Sequence, residues 1–167
     1  MDAARIDIRW WAFFLLMSIV VFVYGCYCMV NGDIWWHLRA GEYIFETRSI
    51  PDKNLFAYTN PDTAWIDLHW LFQIVVAGIY QGFGTTGLIL FKSIIGSTVF
   101  ALLFLTSRKR LPGVVLAIVW LPFVWIYAGR YHVRPEILSH LYLAFTLYCL
   151  HTHNAGQRRW IWCLIPL

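Results

Sequence analysis

The stretch NGDIWWHLRAGEYIFETRSIPDKNLFAYTNPDTAWIDLHW, residues 31–70, decides how the rest of the chain is read. It holds six of the nine acidic residues: Asp33, Glu42, Glu46, Asp52, Asp62 and Asp67. The sequence on either side is almost entirely apolar, in runs close to the length of a bilayer crossing. Such a loop puts carboxylates at a membrane surface.

The 167 residues are 60% hydrophobic and 19% aromatic, with only 13% charged. A soluble domain of this size cannot bury so much apolar surface, so the expected fold class is an all-α polytopic membrane bundle. The formal net charge is +4, but the bases gather in short clusters at the ends of apolar runs, as the positive-inside bias expects. No basic face forms, and nucleic acid is not an expected partner. Cys26, Cys28, Cys149 and Cys163 lie within or beside apolar runs. Residues two apart on a helix point to opposite sides, so Cys26 and Cys28 make a poor metal clamp.

Upstream of the loop, residues 10–30 form an apolar run of membrane-crossing length. It is too long for a signal-peptide core and lacks a cleavage pattern, so it reads as a retained first span. Trp10 and Trp11 open it, at the position that indoles favour. Downstream, residues 68–81 are short for a span and read as a surface or re-entrant helix. The glycine break QGFGTTG follows, then a span at 87–106. Charge parity supports this division: Arg108, Lys109 and Arg110 fall inside only if one crossing lies between residues 70 and 107. Further spans are expected at 111–128 and 137–150. Pro112 suits a first helical turn, Pro122 predicts a kink, and Pro135 with Glu136 opens the next helix.

Arg158 and Arg159 return the chain to the inside, and another span starts at residue 160. Eight residues cannot cross a bilayer, so the expectation is one membrane module forming the N-terminal part of a longer protein. The reading places it in a cell membrane as a multi-pass protein, with a cytoplasmic N-terminus and an external loop at 31–68.

Within the loop, residues 33–46 have the pattern of an amphipathic surface helix. Arg39, Glu42 and Glu46 share one face. Asp33 and His37, four apart, share another with Ala40 and Ile44. Asn-Gly-Asp before a helical pattern predicts Asp33 as N-cap, a role compatible with facing a cavity. Turns are predicted at 49–51 and 60–62, a short extended piece at 55–59, and Asp67 as cap of the second surface helix. Asp33, His37, Asp67 and His69 are ligand types that suit a divalent cation, but their spacing is no recognised metal motif. No metal or other cofactor is expected; a divalent cation is the weaker alternative. His37 and His69 read as interfacial hydrogen-bonding residues beside Trp36 and Trp70.

By the same topology residues 129–136 face the external side. They carry Arg130, His132 and Arg134, against the charge bias expected there. Arginine is the side chain whose planar fork grips phosphate; the alternative is that both arginines snorkel to ordinary lipid headgroups. Lys92, inside a span near its outer end, is a second candidate, and His140 a weaker one.

The motifs D-x-W-W-H-L-x-x-G-E from Asp33, I-P-x-x-x-x-F-A-Y-T from Ile50, W-I-D-L-H-W-L-F-Q from Trp65 and V-R-P-E-I-L-S-H-L from Val133 resemble a known group. They are similar to the N-terminal region of GT-C-fold membrane glycosyltransferases, in particular bacterial relatives of protein mannosyltransferases and aminoarabinose transferases. The resemblance implies transfer of a sugar, with inversion, from a polyprenyl-phosphate donor to an acceptor at the external face. It implies that Asp33 takes the acceptor's proton or orients the acceptor, and that basic residues such as Arg130 and Arg134 meet the donor phosphate. His37, Asp67, His69, Lys92 and His132 complete the expected substrate-binding set. Where relatives often have His-Glu-Trp-Leu, this chain has Leu68, His69, Trp70 and Leu71, so the role of that glutamate has no counterpart here unless Asp67 substitutes. The competing expectation is a non-catalytic polytopic protein, a binding or assembly subunit. A transporter fits less well, because the spans hold few polar residues and no paired acids.

Overall fold

Four largely apolar runs and one amphipathic stretch become five helices: α1 Ile8–Gly25, α2 Asp33–Thr47, α3 Trp70–Ser107, α4 Gly113–Ala128 and α5 Glu136–Thr152. The computed structural model describes residues 8–27, 32–57, 59, 63–107, 113–128 and 132–152. Among them there is no β-strand, only an isolated antiparallel bridge between Lys53 and Ala64. The fold is all-α. The expected end of the first span at residue 30, the cluster at 108–110, Pro112, Arg130, Cys28, Cys163 and residues 153–167 lie outside the described residues.

The chain divides into two units, where the sequence reading takes it as one module. The first comprises Met1–Tyr27, Ser93–Tyr131 and Glu136–Leu167; the second Cys28–Lys92 and His132–Pro135. In the first, α1 packs on α4. Val21, Phe100 and Val124 form one buried cluster, and Trp10 with Phe104 another, flanked by Phe13, Phe14 and Trp120. The Trp10 and Phe14 rings stack 5.7 Å apart, and Trp10 meets Phe104 at 5.1 Å. Hydroxyls in these apolar helices bond back to their own backbone: Ser18 to Phe14 O at 2.9 Å, Thr106 to Leu102 O at 2.8 Å. That satisfies them without outside partners, as apolar surroundings require.

In the second unit, α2 buries Ile34, His37, Leu38, Ala40, Gly41 and Ile44. The first half of α3 contributes Phe72, Gln73, Val76, Ala77 and Leu88 to the same core. Gly41 is the close-approach point of α2 on α3. A Cβ there would collide with the Gln73 backbone oxygen and come within 2.6 Å of the Ala77 Cβ. α2 ends at Arg48, in left-handed conformation (φ 57°), whose N–H bonds to Ile44 O at 2.9 Å. The loop beyond is pinned by Asn54 N–H to Thr63 O at 3.0 Å and Trp65 N–H to Asp52 O at 2.8 Å. Residues 55–57 are not extended as predicted. Asn54 Oδ1 accepts the N–H groups of Phe56 and Ala57, both at 3.1 Å, so a side-chain-built turn wins.

The glycine break is at Gly84, whose φ of 60° and ψ of −152° interrupt α3. That region is open essentially to glycine alone. α3 is the one helix among the described residues long and apolar enough to cross a membrane, by length and composition. A straight helix of its 38 residues would run to about 57 Å, far beyond a hydrocarbon core of about 30 Å. The piece after Gly84, about 23 residues and 34 Å, fits that core. The apolar helices Trp10–Gly25 and Ile118–Tyr127 are shorter.

Candidate functional site

The sequence-predicted residues described in the second unit fall into two neighbouring groups. The first is an ion pair. Arg134 Nη2 donates to Asp33 Oδ2 at 2.5 Å, across 101 positions of sequence. Each side chain keeps much of its surface, 41% for Arg134 and 49% for Asp33. Pairs this exposed contribute about 0–1 kcal/mol to stability, so this contact sets positions more than it holds the fold.

Both partners are presented on fixed backbone. Asp33 lies in the first turn of α2, where the helix end favours a negative charge. It is not the N-cap that the sequence predicts: Gly32 occupies that position, with no side-chain cap. The acid sits one residue inside the helix, and its oxygen is spent on Arg134 instead. Arg134 stands in the short link before α5, between Val133, which is buried, and Pro135. Its own N–H bonds to His132 O at 3.0 Å. Its Nε is buried and has no hydrogen-bond partner among the described residues.

The second group is buried. Asp67 Oδ1 accepts from Gln73 Nε2 at 2.9 Å and from the His69 N–H at 3.1 Å. Asp67 therefore supports the start of α3, as the sequence predicts of a cap, but from three residues before it and through a side chain as well as the backbone. Gln73, fully buried, was not singled out from the sequence; an amide inside the apolar run W-L-F-Q-I-V-V was the available signal. Asp67 Oδ2, Gln73 Oε1 and His37 Nδ1 are buried and have no partner among the described residues.

His37 is a correction. It is no interfacial hydrogen-bonding residue: only 3% of it is exposed, and its ring packs against Trp36 at 3.7 Å and Phe72 at 5.2 Å. Four apart from Asp33 on a helix whose buried face it shares, it is carried inward by the same periodicity. Burial pulls its pKa from 6.5 down to about 4, with the neighbouring His69, ring centroids 5.9 Å away, pushing the same way. Asp67 and Asp33 oppose that shift and Arg134 adds to it, so His37 feels both groups. It is a neutral imidazole at pH 7.

His69 itself is exposed. Lys92 is 2% exposed on α3, and His132 is half-buried beside Arg134. His140 belongs to the first unit, with Nδ1 3.4 Å from the Tyr127 hydroxyl. That unit also holds an apolar cleft of about 520 Å³ lined by Val99, Leu103, Phe123, Ile126, Leu143 and Leu147, among others. No group of three or more His, Cys, Asp or Glu side chains placed to share a metal ion occurs among the described residues.

Fold and site together define an α-helical chain whose second helix presents, from its first turn, a carboxylate to an arginine from a distant link. Comparison with models of known protein families, with curated proteins and with solved structures finds no match.

Proposed function

We propose that this chain carries part of the catalytic region of a polytopic membrane glycosyltransferase of the GT-C type, acting on a polyprenyl-phosphate-linked sugar at the external face of a cell membrane. The observation that carries the reading is the Asp33–Arg134 pair. It joins a carboxylate suited to take an acceptor's proton and a guanidinium suited to a leaving phosphate, both half open to solvent. In the transfer step the acceptor oxygen bonds to the anomeric carbon while the bond from that carbon to the phosphate oxygen breaks. The electron pair leaves with the phosphate, toward Arg134, and the acceptor's proton passes to Asp33.

Further support comes from where apolar surface lies. Leu15, Leu16, Ile19 and Val23 on α1, Ile118, Trp125 and Ile126 on α4, and Leu143 and Leu150 on α5 are all exposed. Exposed apolar surface on this scale suits lipid far better than water. Arg130, His132, Lys92 and His69 remain candidate substrate-binding groups. His37 and Asp67 support the site from within.

Asp33→Asn in the full-length gene product tests the proposal. Transfer of labelled sugar from polyprenyl-phosphate donors should fall by a factor of about 100 or more, with membrane insertion and melting unchanged. Undiminished transfer removes Asp33 from the mechanism. One observation favours a second reading, a non-catalytic binding or assembly subunit: Asp33 and Arg134 are bonded to one another, as in a purely structural tie. On that reading no donor supports transfer, and breaking the pair changes only stability.

A further inference from the structure

We infer that residues 65–71 form a wedge that docks on the lipid bilayer and seats the second unit against the membrane surface. The inference rests on the membrane part of the proposed function and not on glycosyl transfer.

The sequence pattern makes α2 the surface helix, but its apolar stripe packs on protein. That stripe meets the first arm of α3, where Phe72, Gln73, Val76 and Ala77 are buried and Gly41 makes the close approach. The outer side of α2 carries the Arg39–Glu42 ion pair and Glu46. The arm of α3, by contrast, is apolar on its other side as well. Leu71, Ile74 and Val75 point away from the α2-facing side, with Leu71 exposed and the other two partly buried. Just ahead of the arm, Trp65, Ile66, Leu68 and Trp70 are exposed, Ile66 and Leu68 to 82% and 80%.

This surface is built on fixed backbone. Trp65 N–H bonds to Asp52 O at 2.8 Å, and Asp67 is turned inward onto the Gln73 amide and the His69 N–H. With Asp67 held inside, its neighbours Ile66 and Leu68 face out. Asp67 is also the only Asp, Glu, Lys or Arg between residues 63 and 91, so the outward surface carries none of these charges. Lipid accepts such a surface and water does not. The indoles of Trp65 and Trp70 bracket the aliphatic pair, the arrangement favoured at headgroup level. The patch is continuous with α3, whose piece after Gly84 has the length to cross a hydrocarbon core. The arm before Gly84, about 14 residues and 21 Å, is too short to cross one. Asp33 and Arg134 belong to the same unit as the patch, so the wedge holds their ion pair against the membrane surface.

The test places single cysteines, Ile66→Cys, Leu68→Cys or Glu46→Cys, in the full-length gene product with its native cysteines replaced by alanine. Each is labelled with the fluorophore NBD in nanodiscs of phosphatidylcholine, with doxyl-labelled lipid in one preparation and iodide added to another. All three positions are exposed, so the substitutions remove little packing. Labels at positions 66 and 68 should emit at shorter wavelength than the label at 46. They should lose most of their intensity to doxyl lipid and little to iodide, with the reverse at 46. Iodide quenching at 66 and 68 as strong as at 46 overturns the wedge. Protection from both quenchers also overturns it, because the patch is then covered by protein, either a second copy or another part of the chain. A product that does not enter nanodiscs defeats the membrane reading together with the wedge. Lipid quenching at 66 and 68 in a protein that transfers no sugar upholds the wedge and defeats the glycosyltransferase reading alone.

Discussion

The Asp33–Arg134 pair and the His37–Asp67–Gln73 cluster lie in one unit and differ in nearly every physical respect. The pair is half-exposed, joined at one point and formed between segments 101 positions apart. The cluster is buried, built from α2 and the start of α3, and leaves three polar atoms without partners among the described residues. Solvent makes the pair cheap to break; burial makes the cluster costly to disturb. The comparison teaches a division of labour: the cluster fixes α2 on α3, and the pair stands where solvent reaches both side chains.

The largest expected effect lies on the buried side. Gly41→Ala drives a methyl group into the Gln73 backbone and Ala77, and should lower unfolding stability by about 3 kcal/mol. A neutral result in a detergent-unfolding measurement would mean that α2 does not seat on α3 as described.

His37 should make that seating sensitive to acid. Its folded pKa of about 4 lies below the unfolded value of 6.5, so the unfolded chain takes up the proton first. Stability is full above about pH 6.5 and falls as pH drops toward 4. The total loss is about 3 kcal/mol, because the residue is almost fully buried. His37→Phe should flatten that slope. Stability profiles of the two proteins that superimpose between pH 7 and pH 4 would place His37 elsewhere.

Asp67→Ala strands the Gln73 amide and the His69 N–H, and should cost about 2 kcal/mol. Arg134→Gln is the smallest effect on stability, about 1 kcal/mol or less. If unfolding shows it as costly as Asp67→Ala, the contrast between the two groups collapses.

What the sequence disclosed divides along the same line. Composition and the length of the apolar runs made the all-α class legible, and the interfacial look of the loop came from its charges. Asp33 and Arg134 could each be named from residue type and position. Their contact could not, because no local pattern links residues so far apart. His37 was misread because a histidine beside tryptophans looks interfacial, whereas its position relative to Ile34, Leu38 and Ile44 places it on the buried face. The cap was misplaced by one residue, since Gly32 starts the helix equally well and frees the acid for a tertiary partner. Gln73 went unremarked because a single amide in an apolar helix carries no periodic signal of its own.

Whether Asp33 acts as chemistry or as a strut is decided most directly by exchanging the two charges, Asp33→Arg with Arg134→Asp, in the full-length gene product. The account predicts that the double variant melts within a few degrees of wild type, because an ion pair is re-formed, and transfers no sugar, because the carboxylate and guanidinium have traded places. Transfer recovered along with stability would contradict it.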